Sequence, residues 1–278
     1  MIEGPEAMRF AKQMQLVLLG KRVDACQRGN SPHKFAFYTK TAEEYAALLP
    51  GKTVGPASSL GGMIYVPLEP EYVLVLGGGG ERILFHADET SLPARHQFLL
   101  RFTDAAYLTV TVQMWGAIQL FHRSEWKPGK NFYGFDMVEA AGPDFTLDYF
   151  HSLFAGLAPG CKDSLKFFVI SKPGVCGVAN GYLSDILWKA GLHPRRRAVD
   201  LTLDEQARLY AAIRAVLEQA VAAGGRDTEL DLFGFPGGYH RILDSDSVGK
   251  PCPNCAAPLE KIQFQGGASY LCPSCQIV

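Results

Sequence analysis

The stretch PCPNCAAPLEKIQFQGGASYLCPSCQ (residues 251–276) decides the fold at the C-terminal end, and the rest of the chain is read outward from it. Cys252 and Cys255 form one C-x2-C pair, Cys272 and Cys275 form a second, and sixteen residues separate the two. Each pair offers two thiolates from a tight turn, and two such turns complete the tetrahedron that zinc requires. The intervening EKIQFQGGASYL reads as a two-stranded hairpin that brings the pairs together. Chance pairs or disulfides are the alternatives, and disulfides do not suit a reducing compartment. Four thiolates close the coordination shell, so the Zn2+ expected here is structural and holds a hairpin too short to fold alone. Cys26, Cys161 and Cys176 have no such partners nearby and read as buried free thiols.

Ahead of the hairpin the pattern is helical. Thr202 and Glu205 form a capping box, Leu209, Ile213, Val216 and Ala220 line one face, and Gly224 ends the helix. Leu183, Ile186, Leu187 and Ala190 mark a helix that stops at Gly191, and Leu147, Phe150, Phe154 and Leu157 mark another. RSEWKPGKNFYGFDMVEAAGP (123–143) has mixed polarity and no sustained period, as a connection between domains would. The first half is β-rich: MIYVPLEPEYVLVLG (63–77), RILFH (82–86), QFLLRFT (97–103) and AYLTVTVQMWGAIQLF (106–121) suggest a sandwich or barrel. One helix is expected over 5–20, where Met8, Ala11, Met14 and Val17 recur at helical spacing.

With 47% hydrophobic and 20% charged residues among 278, the composition is globular. No run approaches eighteen apolar residues and no basic-then-apolar leader opens the sequence, so an intracellular, cytoplasmic protein is expected. A net charge of −1 gives no broad cationic surface, so any polyanion partner must be held by local patches. The LGGGGE segment (76–81) is not followed by a helical pattern, which argues against a nucleotide-phosphate loop.

The terminal EGPE (3–6), the β-rich half, GVANGYLSDILWKAGLHP (177–194) and GGYHRIL…VGKPCPNC leading into the four cysteines occur in one order. Together they resemble the formamidopyrimidine-DNA glycosylase and endonuclease VIII family over essentially the full length. The resemblance implies an α+β multidomain protein: an N-terminal β-sandwich (1–130), a helix–two-turn–helix domain (131–245) and a zinc finger (246–278), with DNA in the cleft between domains. It implies a monomer that flips a damaged base from double-stranded DNA, cuts its glycosidic bond and often breaks the strand. In GVANGYLSDIL, Gly177 and Gly181 permit close backbone approach and Asn180 lies at a helix start, a pattern suited to phosphate. By resemblance Asn180, Lys166 and His86 contact DNA; read alone they are a helix cap, a solvated lysine and a satisfied histidine.

The sequence departs from the family at its reactive end. The family's exposed terminal proline, whose amine attacks C1′ of the sugar, is replaced by Ile2. A large second residue keeps Met1 in place, so imine chemistry is expected to be lost or severely weakened. Met63 stands near an expected lysine, Glu89 at the void-filling methionine, and the hairpin lacks its arginine. The family's wedge residues appear as Met114 and Trp115, which either fill the gap left by a flipped base or belong to a strand core. Glu3 and Glu6 survive, and a carboxylate there either activates water or only holds the terminus. Two functions follow: a glycosylase with Glu3-dependent hydrolytic chemistry, or a lesion-recognition protein that does not cut. Residual lyase activity through Met1 or Lys166 is a third possibility, and the Arg195–Arg197 run reads as a solvated or DNA-facing corner.

Overall fold

A proline in its first turn and apolar residues three and four apart start and carry the first helix, α1 (Gly4–Val17), which buries Ala7, Phe10, Ala11 and Met14. The strands that follow alternate or run apolar according to how many faces they bury. They are β1 (Val23–Gln27), β2 (Ala36–Phe37), β3 (Thr53–Val54), β4 (Ser58–Leu60), β5 (Met63–Glu69), β6 (Tyr72–Gly77), β7 (Glu81–His86), β8 (Phe98–Phe102), β9 (Tyr107–Val112) and β10 (Gly116–His122). A short helix, α2 (Ala42–Leu48), opens on the Thr41–Glu44 capping box. The computed structural model describes residues 1–131 and 133–278; Phe132, inside the connection read at 123–143, lies outside the described residues.

The chain divides into two units, Met1–Pro128 with Gly224–Gly238, and Gly129–Ala223 with Tyr239–Val278. In the first unit one sheet has the order β1-β8-β9-β7 and the other β2-β10-β6-β5-β3, with β4 paired to β5. Both sheets feed one core, in which Ile64, Leu74 and Leu76 meet Ile83, Phe98, Leu108 and Val110. This is the sandwich expected from the sequence. Two runs that read as single strands are each broken in two: Pro70–Glu71 separates β5 from β6, and Gln113–Trp115 separates β9 from β10. The returning segment 224–238 belongs to this unit, placing Leu232 in the core and pairing its carbonyl with the Phe85 amide at 2.8 Å.

The second unit is helical. It comprises α3 (Leu147–Ala155), α4 (Leu165–Ile170), α5 (Asn180–Ala190) and α6 (Leu203–Ala222), and then the hairpin β11 (Glu260–Phe264) and β12 (Gly267–Leu271). Thr202 and Glu205 cap α6 reciprocally, and Gly191 in the left-handed region (φ 70°) ends α5, both as expected. The core is aromatic and aliphatic, with Phe150, Phe168, Tyr182, Ile186, Leu209 and Ile213 fully buried. Cys26 is buried, whereas Cys161 and Cys176 are only partly covered.

Candidate functional site

The first three residues are threaded into the sandwich. Ile2 is 2% exposed, and its amide donates to the Gly79 carbonyl at 2.8 Å. Gly62 makes room for it, since a side chain there would begin 2.7 Å from the Ile2 carbonyl; Gly79 in turn admits the Trp115 carbonyl, 2.1 Å from where its side chain would begin. The glycine-rich 77–80 run thus serves close backbone packing beside the terminus.

Glu3, 2% exposed, and Glu6 are buried together with Arg226. Arg226 Nη1 lies 2.8 Å from Glu3 Oε1, its Nε lies 3.3 Å from Glu6 Oε1, and its backbone N–H donates to Glu6 Oε1 at 2.9 Å. Glu6 Oε2 accepts the Glu3 amide at 3.0 Å, closing the first turn of α1. Arg226 also donates to the Met1 carbonyl, and the Met1 amine is ion-paired with Glu229. Sequence reasoning missed Arg226 and Glu229. The only sequence signal was two acids, at 3 and 6, in need of a buried cation from somewhere else.

Glu81 is buried behind this turn and accepts N–H bonds from Gly79 at 3.0 Å and Ala117 at 2.7 Å. Burial pushes its carboxyl up to about 7, against the opposing pull of those backbone donors. His86 differs from the DNA-contacting residue expected. It is buried, and its two ring nitrogens lie 2.8 Å from Ser91 Oγ and Thr109 Oγ1. Desolvation lowers its pKa, so the neutral ring is favoured. Met114 (65% exposed) and Trp115 (38%) stand on the β9–β10 turn, which removes the strand-core alternative. Met63 is partly buried in β5, and Glu89 is exposed.

In the second unit Lys166 is fully buried, which corrects both the solvated lysine and the lysine open to DNA. Its ammonium donates to the Phe264 carbonyl at 2.9 Å, the Gly267 carbonyl at 3.3 Å and Ser269 Oγ at 3.2 Å, clamping the hairpin turn to α4. Burial lowers its pKa. Asn180 is the first residue of α5, exposed, while Ala179 takes the cap position. The helix-cap alternative for Asn180 therefore falls away. A side chain added at Gly267 would lie 3.5 Å from its Nδ2, so Asn180 borders the hairpin turn.

The sulfurs of Cys252, Cys255, Cys272 and Cys275 lie within 4.8 Å of one another. Four thiolates at that spacing fit a tetrahedral Zn2+ and leave no position for a reacting ligand. Helix α5 builds the support. Trp188 Nε1 donates to Cys252 Sγ at 3.3 Å, Ser184 Oγ accepts the Tyr270 amide at 3.1 Å, and Asp185 accepts from Tyr239, Ile242 and Leu243. Among the described residues no helix is long and apolar enough to cross a membrane.

The Formamidopyrimidine-DNA glycosylase H2TH domain matches residues 138–231, and the zinc finger found in FPG and IleRS matches 249–277. A formamidopyrimidine-DNA glycosylase of Gluconobacter oxydans is 30% identical over 211 residues, covering 73% of this chain and 74% of that protein. One of Chloroflexus aggregans is 27% identical over 285 residues, covering 100% and 99%. The fold is similar to that of Lactococcus lactis Fpg in complex with abasic-site DNA, with a TM-score of 0.81 at 18% identity over 99% of this chain and 100% of that one. By its helical block, its zinc finger and these relatives, the chain belongs to the formamidopyrimidine-DNA glycosylase family.

Proposed function

We propose that this protein binds damaged DNA and acts as a base-excision glycosylase whose chemistry bypasses residue 2. Membership of a family whose relatives are named as glycosylases supports the DNA-repair role. One observation carries the altered chemistry: Glu3 is kept and oriented by a guanidinium at 2.8 Å, while Ile2 is packed in the core with its amide bonded to Gly79. In this reading a water oxygen bonds to C1′ as the C1′–N bond breaks. Glu3 takes the proton from water, and the base leaves with the bonding electrons and is protonated in turn. Met114 and Trp115, exposed on their turn, fill the gap left by the flipped base. Asn180 contacts the DNA backbone.

A second reading, recognition without cutting, is favoured by one fact: Glu3 is almost fully buried, and Arg226 already engages its Oε1. The full-length zinc-loaded protein would be tested for binding and base release on a Fapy-dG duplex, beside Glu3→Gln. Borohydride trapping would be run on an abasic-site duplex. Release that disappears in Glu3→Gln while binding persists is the expected result. Tight binding without release would move the conclusion to the second reading. A trapped covalent complex would overturn the claim that the chemistry avoids an amine, and absence of any preference for damaged DNA would overturn both readings.

A further inference from the structure

The zinc hairpin has no cationic side chain past Lys261, since no Lys, Arg or His occurs from Ile262 to Val278. A neighbouring segment supplies one. Arg195 is exposed, and its guanidinium carbon lies 5.2 Å from the centroid of the Phe264 ring, the last strand residue before the hairpin turn. The turn itself is tight, with Gln265 (φ 48°) and Gly266 (φ 76°) both left-handed, so Phe264 and Gly267 face each other across it.

The three consecutive arginines have different uses. Arg196 forms a two-pronged pair with Glu205, and Arg197 donates to the Cys161 carbonyl at 3.0 Å and lies 3.6 Å from Asp200. Arg195 has no acidic partner among the described residues. It is nonetheless held in place. Its amide donates to His193 Nδ1 at 3.1 Å, and the flanking carbonyls of Pro194 and Arg196 accept the amides of Lys166 (3.1 Å) and Leu165 (2.7 Å). The same start of α4 grips the turn, with Ser164 Oγ donating to Gln265 Oε1 at 2.6 Å and the Lys166 ammonium bonded to the Phe264 and Gly267 carbonyls. Arg195 and the ring beneath it are thus fixed to one node. Lys166 directs its charge inward at that node, leaving the Arg195 guanidinium as the exposed cation.

We infer that Arg195, its guanidinium over the Phe264 ring, contacts a phosphate of a DNA strand laid across the hairpin turn, a role that rests on the DNA-binding reading above. A guanidinium lying on an aromatic face keeps its planar fork of donors, the geometry that matches a phosphate's oxygens. Holding it there in the free protein removes much of the ordering cost that a solvated arginine meets on binding. Asn180, exposed on the far side of Gly267, extends the same surface.

The test uses full-length zinc-loaded protein and fluorescence anisotropy with an abasic-site duplex over a series of KCl concentrations. Arg195→Ala should weaken binding by about tenfold, as loss of one charge-assisted bond does. It should also lower the slope of log K against log salt by about 0.9, the contribution of one phosphate contact. Arg195→Lys should keep the slope and lose part of the affinity, and Arg197→Ala should leave the slope unchanged. Zinc content and Tm are measured on every variant. If Arg195→Ala loses metal, Arg195→Gln, which can still lie on Phe264, carries the same expectation. An unchanged slope in a metal-loaded neutral variant of a wild type that binds DNA would overturn the inference alone. Failure of the wild type to bind would overturn it together with the functional reading.

Discussion

Replacing Arg226 with leucine should loosen the start of the chain. The guanidinium and the Glu3 and Glu6 carboxylates are each no more than 3% exposed, so water screens them little. Removing one member of a buried ion pair costs about 3–5 kcal/mol, because the partner charge stays desolvated. Glu6 keeps two backbone donors, the amides of Glu3 and residue 226, and the capping box of α1 leaves Glu3 the Glu6 amide, which puts the cost at the lower end of that range. Hydrogen exchange read by peptide mass spectrometry separates this from the rest of the molecule. A loss of about 3 kcal/mol is about two decades in the opening equilibrium, at 1.4 kcal/mol per decade. Amides of α1 and of residues 226–232 should therefore exchange about a hundredfold faster, with those of α6 unchanged. The companion variant Arg226→Leu with Glu3→Gln and Glu6→Gln should regain most of the protection, because no charge is then buried. Acceleration of less than about fivefold in the single variant, or a triple variant no better protected, would refute the view that a charge cluster holds this end.

Two further outcomes follow from the buried groups. Glu81 holds its proton more tightly in the folded state than at the ordinary value of 4.5, so its contribution is full below that pH and is lost as pH rises through about 7. The first unit should lose on the order of 3 kcal/mol across that window; a Glu81→Gln variant should flatten the dependence in urea unfolding at pH 5 and 8, and equal slopes in both proteins would refute it. Chelation of zinc, or Cys272→Ser, should release the hairpin from α5 and redshift Trp188 fluorescence, since Trp188 donates to Cys252 Sγ. A metal-free protein with native emission and native protection of β11 and β12 would contradict that coupling.

The sequence made some features legible because their causes are local. Two C-x2-C pairs carry their own geometry, and the Thr202–Glu205 capping box and Gly191 punctuate helices without reference to distant residues. What stayed hidden depends on contacts across the chain. Arg226 lies in a loop more than two hundred residues from the acids it serves, and no local pattern marks such a pairing. Lys166 shows the same limit, since a lysine read from sequence is taken to face water, and only the hairpin turn's carbonyls explain its burial. The turn at Gln113–Trp115 was concealed by apolar residues that extend strand character through it, though it is this turn that exposes Met114 and Trp115.

The burial of Ile2 also bears on whether any other residue can take this position. The side chain is an interior part, Gly62 is fitted to its backbone, and the Gly79 carbonyl accepts its amide. A proline installed at position 2 within the chain would have no N–H for the Gly79 carbonyl and would leave a gap beside Gly77. A proline there would therefore destabilise the fold before it supplied any chemistry. Ile2 is held by its neighbours, and seating another residue type requires several of them to change together.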